Sequence, residues 1–241
     1  MSVRRWVFAP GLVLLAPLAL LTACASEAPT RVDPARYDAF FLWAGVRPPP
    51  ALERARTIYI LDGEVRAGDN TRIVPLRPQV PRVRHAEVWL TLRTERLDWA
   101  EPVYRQMLAD AAKWEDAGTR LAGVQIDFDA HTRGLDRYAA FLADLRRRLP
   151  ARYRLSVTGL MDWSANGDAA QLARLRGVID EVVIQTYQGR RTIPGYEHYL
   201  ASLIRLPIPY RVGLVEGGDW KAPAGLESDP EFRGYVVFLV N

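Results

Sequence analysis

Residues 122–150 read AGVQIDFDAHTRGLDRYAAFLADLRRRLP, a β-type segment followed by a helical one. The apolar run over 122–128 is typical of a buried strand, whereas the apolar residues over 135–149 recur on one face with a helical period. Asp136 in the first turn of this helix and arginines in its last turn match the helix dipole, and Pro150 marks its end. A buried strand followed by an amphipathic helix is the repeating unit of a parallel sheet.

The same alternation continues in both directions along the chain. Amphipathic stretches are found at 99–117, 168–176 and 195–205, between short apolar runs. The candidate strands are 39–45, 57–62, 86–92, 122–128, 154–160, 181–187, 210–216 and 234–240. Strands and helices in this order predict an α/β fold, a (β/α)8 TIM-like barrel over residues 37–241, whose active site lies at the carboxyl ends of the strands.

Two parts of the sequence depart from the regular pattern. Residues 66–84 are rich in proline and arginine without a helical period, so we expect an irregular second crossover. The chain stops at Asn241, directly after the eighth strand, and the last helix is therefore expected to be missing. The alternative architecture is an open doubly wound sheet, but no glycine-rich phosphate loop follows the first strand to support a nucleotide site.

The N-terminus has the pattern of a secretory signal. Arg4 and Arg5 precede an apolar stretch, residues 6–21, that contains no charge. The stretch is interrupted by Pro10 and Pro17, and it is shorter than the roughly 20 apolar residues that a membrane-spanning helix needs. A permanent transmembrane anchor is therefore the weaker interpretation.

Residues 21–24, LTAC, resemble the lipobox of bacterial lipoproteins, in which the cysteine carries diacylglycerol. Cys24 is the only cysteine and cannot form an intramolecular disulfide. We expect residues 1–23 to be a lipoprotein signal peptide and 24–36 a lipidated tether, with the protein exported and anchored at the periplasmic face of the cell envelope. Residue 25 is alanine and not the aspartate that retains some lipoproteins at the inner membrane, which favours location at the outer membrane. The alternative for Cys24 is a small residue near an ordinary cleavage site.

The charge balance argues against nucleic acid as a partner. Removing the signal takes away Arg4 and Arg5 and leaves 30 basic against 28 acidic residues, a net charge of +2. No long basic run is present of the kind that follows a phosphate backbone. The expected partners are a polysaccharide or other glycan and, through the lipid, a membrane.

Two carboxylates end the fourth predicted strand. Asp127 and Asp129 are two residues apart, and because side chains alternate along a strand, both are expected to point into the barrel mouth. Like charges close together in a partly desolvated mouth oppose joint ionisation, so one carboxyl is expected to keep a proton near neutrality. Such a carboxyl is what acid-catalysed glycosidic cleavage needs.

Residues 122–129 resemble the fourth-strand signature of glycoside hydrolase family 18, the chitinase and endo-β-N-acetylglucosaminidase family. Gly123 matches the glycine of that signature, and Asp127 matches the second inward acid. Gln125 takes the place of the first inward acid, and Asp129 takes the place of the catalytic glutamate. Aspartate is shorter by one methylene, which moves the carboxyl by about 1.5 Å.

Residues 185–188, QTYQ, are similar to the sixth-strand motif of the same family, whose tyrosine steadies the substrate acetamido group. The resemblance implies a substrate-assisted mechanism without a cofactor, in which the acetamido oxygen attacks the anomeric carbon. It implies Asp129 as general acid, with Asp127 and Tyr187 holding the acetamido group and Gln185 contacting substrate. The signal, the lipobox and the QIDFD strand are together also similar to an uncharacterised domain-of-unknown-function family of bacterial lipoproteins near the glycosidase barrels.

Other polar residues follow predicted strands and are candidates for contact with substrate. Asp162 and Trp163 follow the fifth strand, and Glu216 follows the seventh. Gln125, on the fourth strand, is also expected to contact substrate. Further acids and indole rings that could reach the mouth are Asp62, Glu64, Trp43, Trp89 and Trp220.

Several alternatives stay open for these residues. Asp127 and Asp129 could be structural, one capping the following helix and one paired with Arg133 or Arg137. With His131 they also form an alternating set that could hold a divalent metal, although the following turn argues against a metal site. The expected function is therefore cleavage of an N-acetylhexosamine-containing polysaccharide, and the alternatives are a non-catalytic carbohydrate-binding or assembly lipoprotein and, third, a metal-dependent hydrolase.

Overall fold

The structure is a computed structural model. It describes residues 30–129, 135–161, 174–201, 206 and 208–240.

Eight parallel strands close into a barrel. They are β1 (Ala39–Leu42), β2 (Thr57–Val65), β3 (Glu87–Thr94), β4 (Leu121–Asp127), β5 (Arg154–Leu160), β6 (Glu181–Gln185), β7 (Tyr210–Val215) and β8 (Phe232–Phe238). Each strand pairs in parallel with the next, and β8 pairs with β1 through Val237 opposite Phe40. The predicted barrel and its eight strands are confirmed. The open-sheet alternative is wrong because β1 and β8 hydrogen-bond to each other and leave no edge between them.

Helices cover only part of the barrel surface in the described chain. Helix α1 (Glu101–Asp116) connects β3 to β4, α2 (Leu135–Arg148) lies between β4 and β5, and α3 (Tyr196–Leu200) lies between β6 and β7. The β2–β3 connection is described throughout and contains no helix, as its sequence predicted. Most of the predicted helix at 168–176 lies outside the described residues.

Two apolar cores lie on opposite sides of the barrel wall. The outer core packs the strands against the helices, with Met107 and Trp114 of α1 and Leu142 of α2 fully buried against outward residues such as Ile126. Burying each large apolar side chain of this kind contributes about 1.5–3 kcal/mol.

The inner core lies within the barrel and is aromatic. Tyr59 and Trp89 stack with ring centroids 5.8 Å apart, and Phe41 packs against Tyr59 at 4.9 Å. The neighbouring strand contributes Gly123, where a Cβ atom would come within 2.0 Å of the Arg154 carbonyl oxygen. A glycine is therefore required where β4 passes β5, and any side chain there would push the two strands apart.

A polar network around Glu181 also lies inside the barrel. The Glu181 carboxylate accepts a hydrogen bond from Ser156 Oγ at 3.1 Å and one from the Tyr59 hydroxyl. Arg211 Nε lies 3.2 Å from Glu181 Oε2, which gives a partly buried ion pair between β6 and β7. The barrel interior beneath the mouth is thus filled by rings and by a paired carboxylate rather than by an open channel.

The N-terminal segment is attached beside the end of β7. Strand Thr30–Arg31 pairs antiparallel with Asp219–Trp220, and the Val32 amide donates to the Gly218 carbonyl at 2.9 Å. Residues 30–36 of the predicted tether therefore pack on the barrel, whereas Cys24 and the predicted signal lie outside the described residues. Among the described helices none is long and apolar enough to span a bilayer.

Candidate functional site

A cleft opens at the carboxyl ends of the barrel strands. Its volume is about 540 Å³, and its lining includes Trp43, Arg93, Asp127, Asp129, Tyr187 and Phe238. A larger groove of about 990 Å³ lies on the side of the barrel, where its Glu227 is already bonded to the Tyr235 hydroxyl. We assign the candidate site to the smaller cleft because the predicted acids lie there, at the strand ends where barrel active sites form.

Asp127 is the last residue of β4 and points into the barrel. Its side chain is buried, with 7% of the residue exposed, and Oδ1 accepts a hydrogen bond from Thr158 Oγ1 of β5 at 2.8 Å. Burial raises the pKa of Asp127 to about 6, against the opposing effects of the Thr158 hydrogen bond and of Arg93; Asp129 adds to the rise. Asp127 therefore changes its charge near neutral pH.

Asp129 follows two residues later and is exposed. It lines the main cleft and also an adjoining cavity of about 270 Å³, which shares Arg93 and Asp127. No described residue forms an ion pair with Asp129 within 4.0 Å. The carboxylate is thus free to meet a ligand at the junction of the two cavities.

Tyr187 lies across the cleft, directly after β6. Its ring stacks on Phe238 with centroids 5.2 Å apart, and Phe238 meets Trp43 edge-on at 5.5 Å. Burial raises the pKa of the Tyr187 hydroxyl well above its usual value, with Asp127 adding to the rise and a hydrogen bond from Gln185 opposing it. The hydroxyl therefore remains a proton donor. Gln185 lines the same cleft, so the structure brings together both acids, the phenol and this amide.

Gln125 lies deeper than its sequence position suggested. It is fully buried, its Oε1 accepts from Thr91 Oγ1 at 3.2 Å, and its Nε2 donates to Ser156 Oγ at 3.1 Å. Both ends of the amide are used within the barrel. The expectation that Gln125 contacts substrate is corrected, because no part of the side chain reaches the cleft.

Glu216 is also outside the cleft lining. Its Oε2 accepts a hydrogen bond from the Val240 amide at 3.0 Å, and the chain turns at Gly217 immediately afterwards. The carboxylate joins the end of β7 to the segment after β8. The structure therefore does not bring Glu216 together with the residues that line the cleft, and its contact with substrate stays a prediction.

The remaining candidates are distributed over the molecule. Asp62 lies near Asp110 and Lys113 of α1, and burial raises its pKa to about 6. Trp89 is inside the barrel, and Trp220 is buried on its side, stacked on Tyr196 at 4.8 Å. Among the described tryptophans, Trp43 lines the cleft. The predicted candidates Asp162, Trp163, His131 and Arg133 lie outside the described residues.

Three residues of the site were not singled out from the sequence. Arg93 of β3 and Phe238 of β8 line the cleft, whereas Thr158 of β5 is buried and reaches the site through its hydrogen bond to Asp127. For Arg93 a usable signal exists, because it alternates with Trp89 and Thr91 on the inward side of β3. Thr158 and Phe238 lie within apolar runs that give no sign of a site.

The described part of the chain contains no group of three or more His, Cys, Asp or Glu residues placed to hold a metal ion. The predicted alternative set included His131, which is not described, so that alternative has no further geometry to support it.

A family model described as a domain of unknown function, DUF3142, matches residues 77–195, which include both acids and Tyr187. The resemblance to an uncharacterised family is confirmed over this range. No curated protein sequence matches the chain.

Two solved structures are similar to this one. The Bacillus cereus spore cortex-lytic enzyme SleL has 16% identity and a TM-score of 0.48, covering 73% of this chain and 49% of that one. The chitinase domain of the Clostridium difficile spore coat protein CotE has 13% identity and a TM-score of 0.49, covering 83% and 68%. The chain thus spans about half the length of the Bacillus cereus enzyme.

Proposed function

We propose that the cleft cleaves glycosidic bonds in an N-acetylhexosamine-containing polysaccharide by acid catalysis. The supporting observation is that a buried Asp127 and an exposed Asp129 line one open cleft, which Tyr187 lines as well. Two carboxyls in different environments are able to take different roles in one reaction. A purely structural acid pair would not need to border an accessible cavity.

In the proposed reaction Asp129 protonates the glycosidic oxygen as its bond to the anomeric carbon breaks. The acetamido oxygen of the same sugar attacks that carbon, so a cyclic cation forms and no enzyme nucleophile is required. Water then opens the cation and returns a proton to Asp129. The exposed position of Asp129 suits contact with a leaving group that must depart into solvent.

Asp127 and Tyr187 are proposed to hold the acetamido group at the base of the cleft. The ionised Asp127 would stabilise the positive charge that develops there, and the Tyr187 hydroxyl would donate to the acetamido oxygen. Because the pKa of Asp127 is about 6, the productive ionised form predominates above that pH and is lost below it. Trp43 and Phe238 supply an apolar wall for a sugar ring.

The test is release of reducing ends from an N-acetylglucosamine polymer by the purified mature protein. Asp129→Asn is expected to lower kcat/KM by about 10²–10⁴, the contribution of a general acid. Asp116→Asn is the matched control, since Asp116 is exposed at the end of α1. Unchanged turnover in Asp129→Asn would overturn the assignment.

A second candidate is a carbohydrate-binding or assembly protein without catalysis. It is favoured by Gln125, which stands at the place of an acid and serves the barrel interior, and by Asp129 in place of glutamate. A misplacement of about 1 Å can cost on the order of a hundredfold in rate. Binding of N-acetylglucosamine oligomers without any release of reducing ends would support this candidate.

We further propose that the protein is exported and held to the cell envelope, at the outer membrane, by lipid on Cys24. The proposal rests on the signal and lipobox in the sequence. Cys24→Ser is expected to abolish incorporation of labelled palmitate and to leave an uncleaved precursor. Unchanged incorporation of labelled palmitate in this variant would overturn the anchor.

A further inference from the structure

Arg93 places a positive charge between the two cavities of the site. It is exposed near the end of β3 and lines both the main cleft and the adjoining cavity, each time together with Asp127 and Asp129. Any ligand that bridges the two cavities must pass this guanidinium.

Arg93 forms no ion pair within 4.0 Å with a described residue, although its charge acts on Asp127 from a longer distance. Its Cα atom is paired across the sheet with that of Asp127, yet no ion pair within 4.0 Å joins them. The Asp127 carboxylate is bonded instead to Thr158 on the other side of β4. Arg211, the arginine inside the barrel, is by contrast paired with Glu181.

Two further arginines lie at the rim of the cleft. Gly189 lines the cleft and begins the turn between the short strands Tyr187–Gln188 and Arg191–Thr192. Arg190 and Arg191, both exposed, follow it and form no ion pair with a described residue. They follow Gly189 in the chain and add positive charge near a cleft that contains Arg93, Asp127 and Asp129.

We propose that Arg93 binds a carboxylate on the polysaccharide, so that the substrate is an anionic N-acetylhexosamine polymer rather than a neutral one. The inference rests on the proposed function and names its substrate class. The planar fork of a guanidinium matches a carboxylate with two parallel hydrogen bonds, which a neutral hydroxyl does not reproduce. Arg190 and Arg191 would attract further carboxylates of the same chain.

Binding is measured in the Asp129→Asn background, so that turnover does not consume the ligand. The probes are an N-acetylglucosamine oligomer and the same oligomer with its 6-hydroxymethyl groups oxidised to carboxylates. The carboxylated oligomer is expected to bind about tenfold more tightly at low salt, the size of one charge-assisted hydrogen-bonded contact. Added salt should reduce this preference.

Arg93→Gln is expected to abolish the preference, and Arg93→Lys to retain part of it, because lysine keeps the charge but not the fork. Arg84→Gln is the control, since Arg84 is exposed in the segment that precedes β3, at the other end of the barrel. It should leave the preference unchanged. A third oligomer, carrying its carboxylate on a lactyl ether instead of C6, distinguishes the two sources of the negative charge.

The outcomes separate this inference from the proposed function. Equal binding of the neutral and carboxylated oligomers, or a preference that survives Arg93→Gln, would overturn the inference even if the protein releases reducing ends. A preference that depends on Arg93 in a protein that cleaves neither oligomer would support the anionic ligand and remove the catalytic proposal. Circular dichroism of each variant establishes that it is folded.

Discussion

Glu181 and Asp127 are both carboxylates buried inside the barrel, and their surroundings differ. Glu181, lower in the barrel, is bonded to Tyr59 and Ser156 and paired with Arg211. Asp127, at the mouth, receives one hydrogen bond from the neutral Thr158. The lower carboxylate has a cation to fix its charge, whereas the upper one has no counterion within 4.0 Å among the described residues.

This difference indicates which buried acid is structural and which is available for chemistry. A carboxylate that is already paired with a cation holds neighbouring strands together, but it is not available to stabilise a positive charge on a ligand. Asp127 has its pKa raised to about 6 and also borders a cavity. Asp62 has a similarly raised pKa outside the barrel, so the shift alone does not identify a site.

The largest expected effect concerns the paired acid. Glu181→Ala should lower the free energy of unfolding by about 3 kcal/mol, because Arg211 is left without its partner in the barrel interior. Urea denaturation at pH 7 measures the loss. Glu101→Ala, which removes an exposed pair with Arg148, should cost no more than about 1 kcal/mol. Equal losses in the two variants would contradict the structural role of Glu181.

For Asp127, the buried acid at the mouth, we expect substitution to raise the free energy of unfolding instead of lowering it. Asp127→Asn should raise the free energy of unfolding by about 2 kcal/mol at pH 8, while impairing cleavage. The folded state binds a proton at Asp127 up to about pH 6, whereas the unfolded state releases it near 3.8, so ionisation destabilises the fold as the pH rises through this window.

The gain should therefore disappear below about pH 4, where Asp127 is protonated in both states. Denaturation at pH 4 and pH 8 tests this dependence, with exposed Asp116→Asn as the control. A gain of the same size at both pH values would show that it does not come from the charge of Asp127.

A smaller effect is expected from Thr158, the described residue that is hydrogen-bonded to Asp127. Thr158→Val removes the hydrogen bond that lowers the pKa of Asp127, so that pKa should rise further. The acidic limb of the kcat/KM profile is expected to move to higher pH by somewhat less than one unit, from the loss of about 1 kcal/mol. Thr158→Ser keeps the hydroxyl and should keep the limb in place. If the acidic limb stays near pH 6 in Thr158→Val, the ionisation of Asp127 does not set the pH dependence of kcat/KM.

The smallest expected effect concerns the aromatic wall of the cleft. Phe238→Leu removes the ring between Trp43 and Tyr187 and should weaken binding of an N-acetylglucosamine oligomer by about 1 kcal/mol, roughly fivefold. Titration calorimetry measures the change, and Val80→Ala at an exposed apolar position is the control. Unaltered affinity would place the sugar elsewhere in the cleft.

The barrel was predictable from the sequence because parallel strands covered on both sides are apolar runs with clear breaks between them. The ends of the strands were harder to predict. Strand β2 continues to Val65, beyond the predicted end at residue 62, because Val74–Pro75 of the irregular connection pairs with it. Barrel closure depends on pairing between β1 and β8, which lie almost 200 residues apart and share no local signal.

For the site, alternation along β4 correctly placed Asp127 and Asp129 on one side. The alternation of side chains along a strand predicts which side of the sheet a residue faces, but not how deep in the barrel it lies. Gln125 was therefore assigned to the mouth although it lies in the barrel interior. Glu216 follows β7 at a turn, where the strand period no longer applies. Alternation along β3 gives the direction of Arg93, but only the structure shows that it has no ion-pair partner among the described residues.

The attachment of the N-terminal segment has a consequence for orientation. Val32 is bonded to the turn that follows β7, so the chain joins the barrel beside the end where the cleft opens. An acyl chain on Cys24 would be connected to Thr30 by six residue steps, at most about 20 Å of extended polypeptide. A tether this short would keep the cleft near the bilayer surface, so that it could contact only glycan strands close to the lipid headgroups.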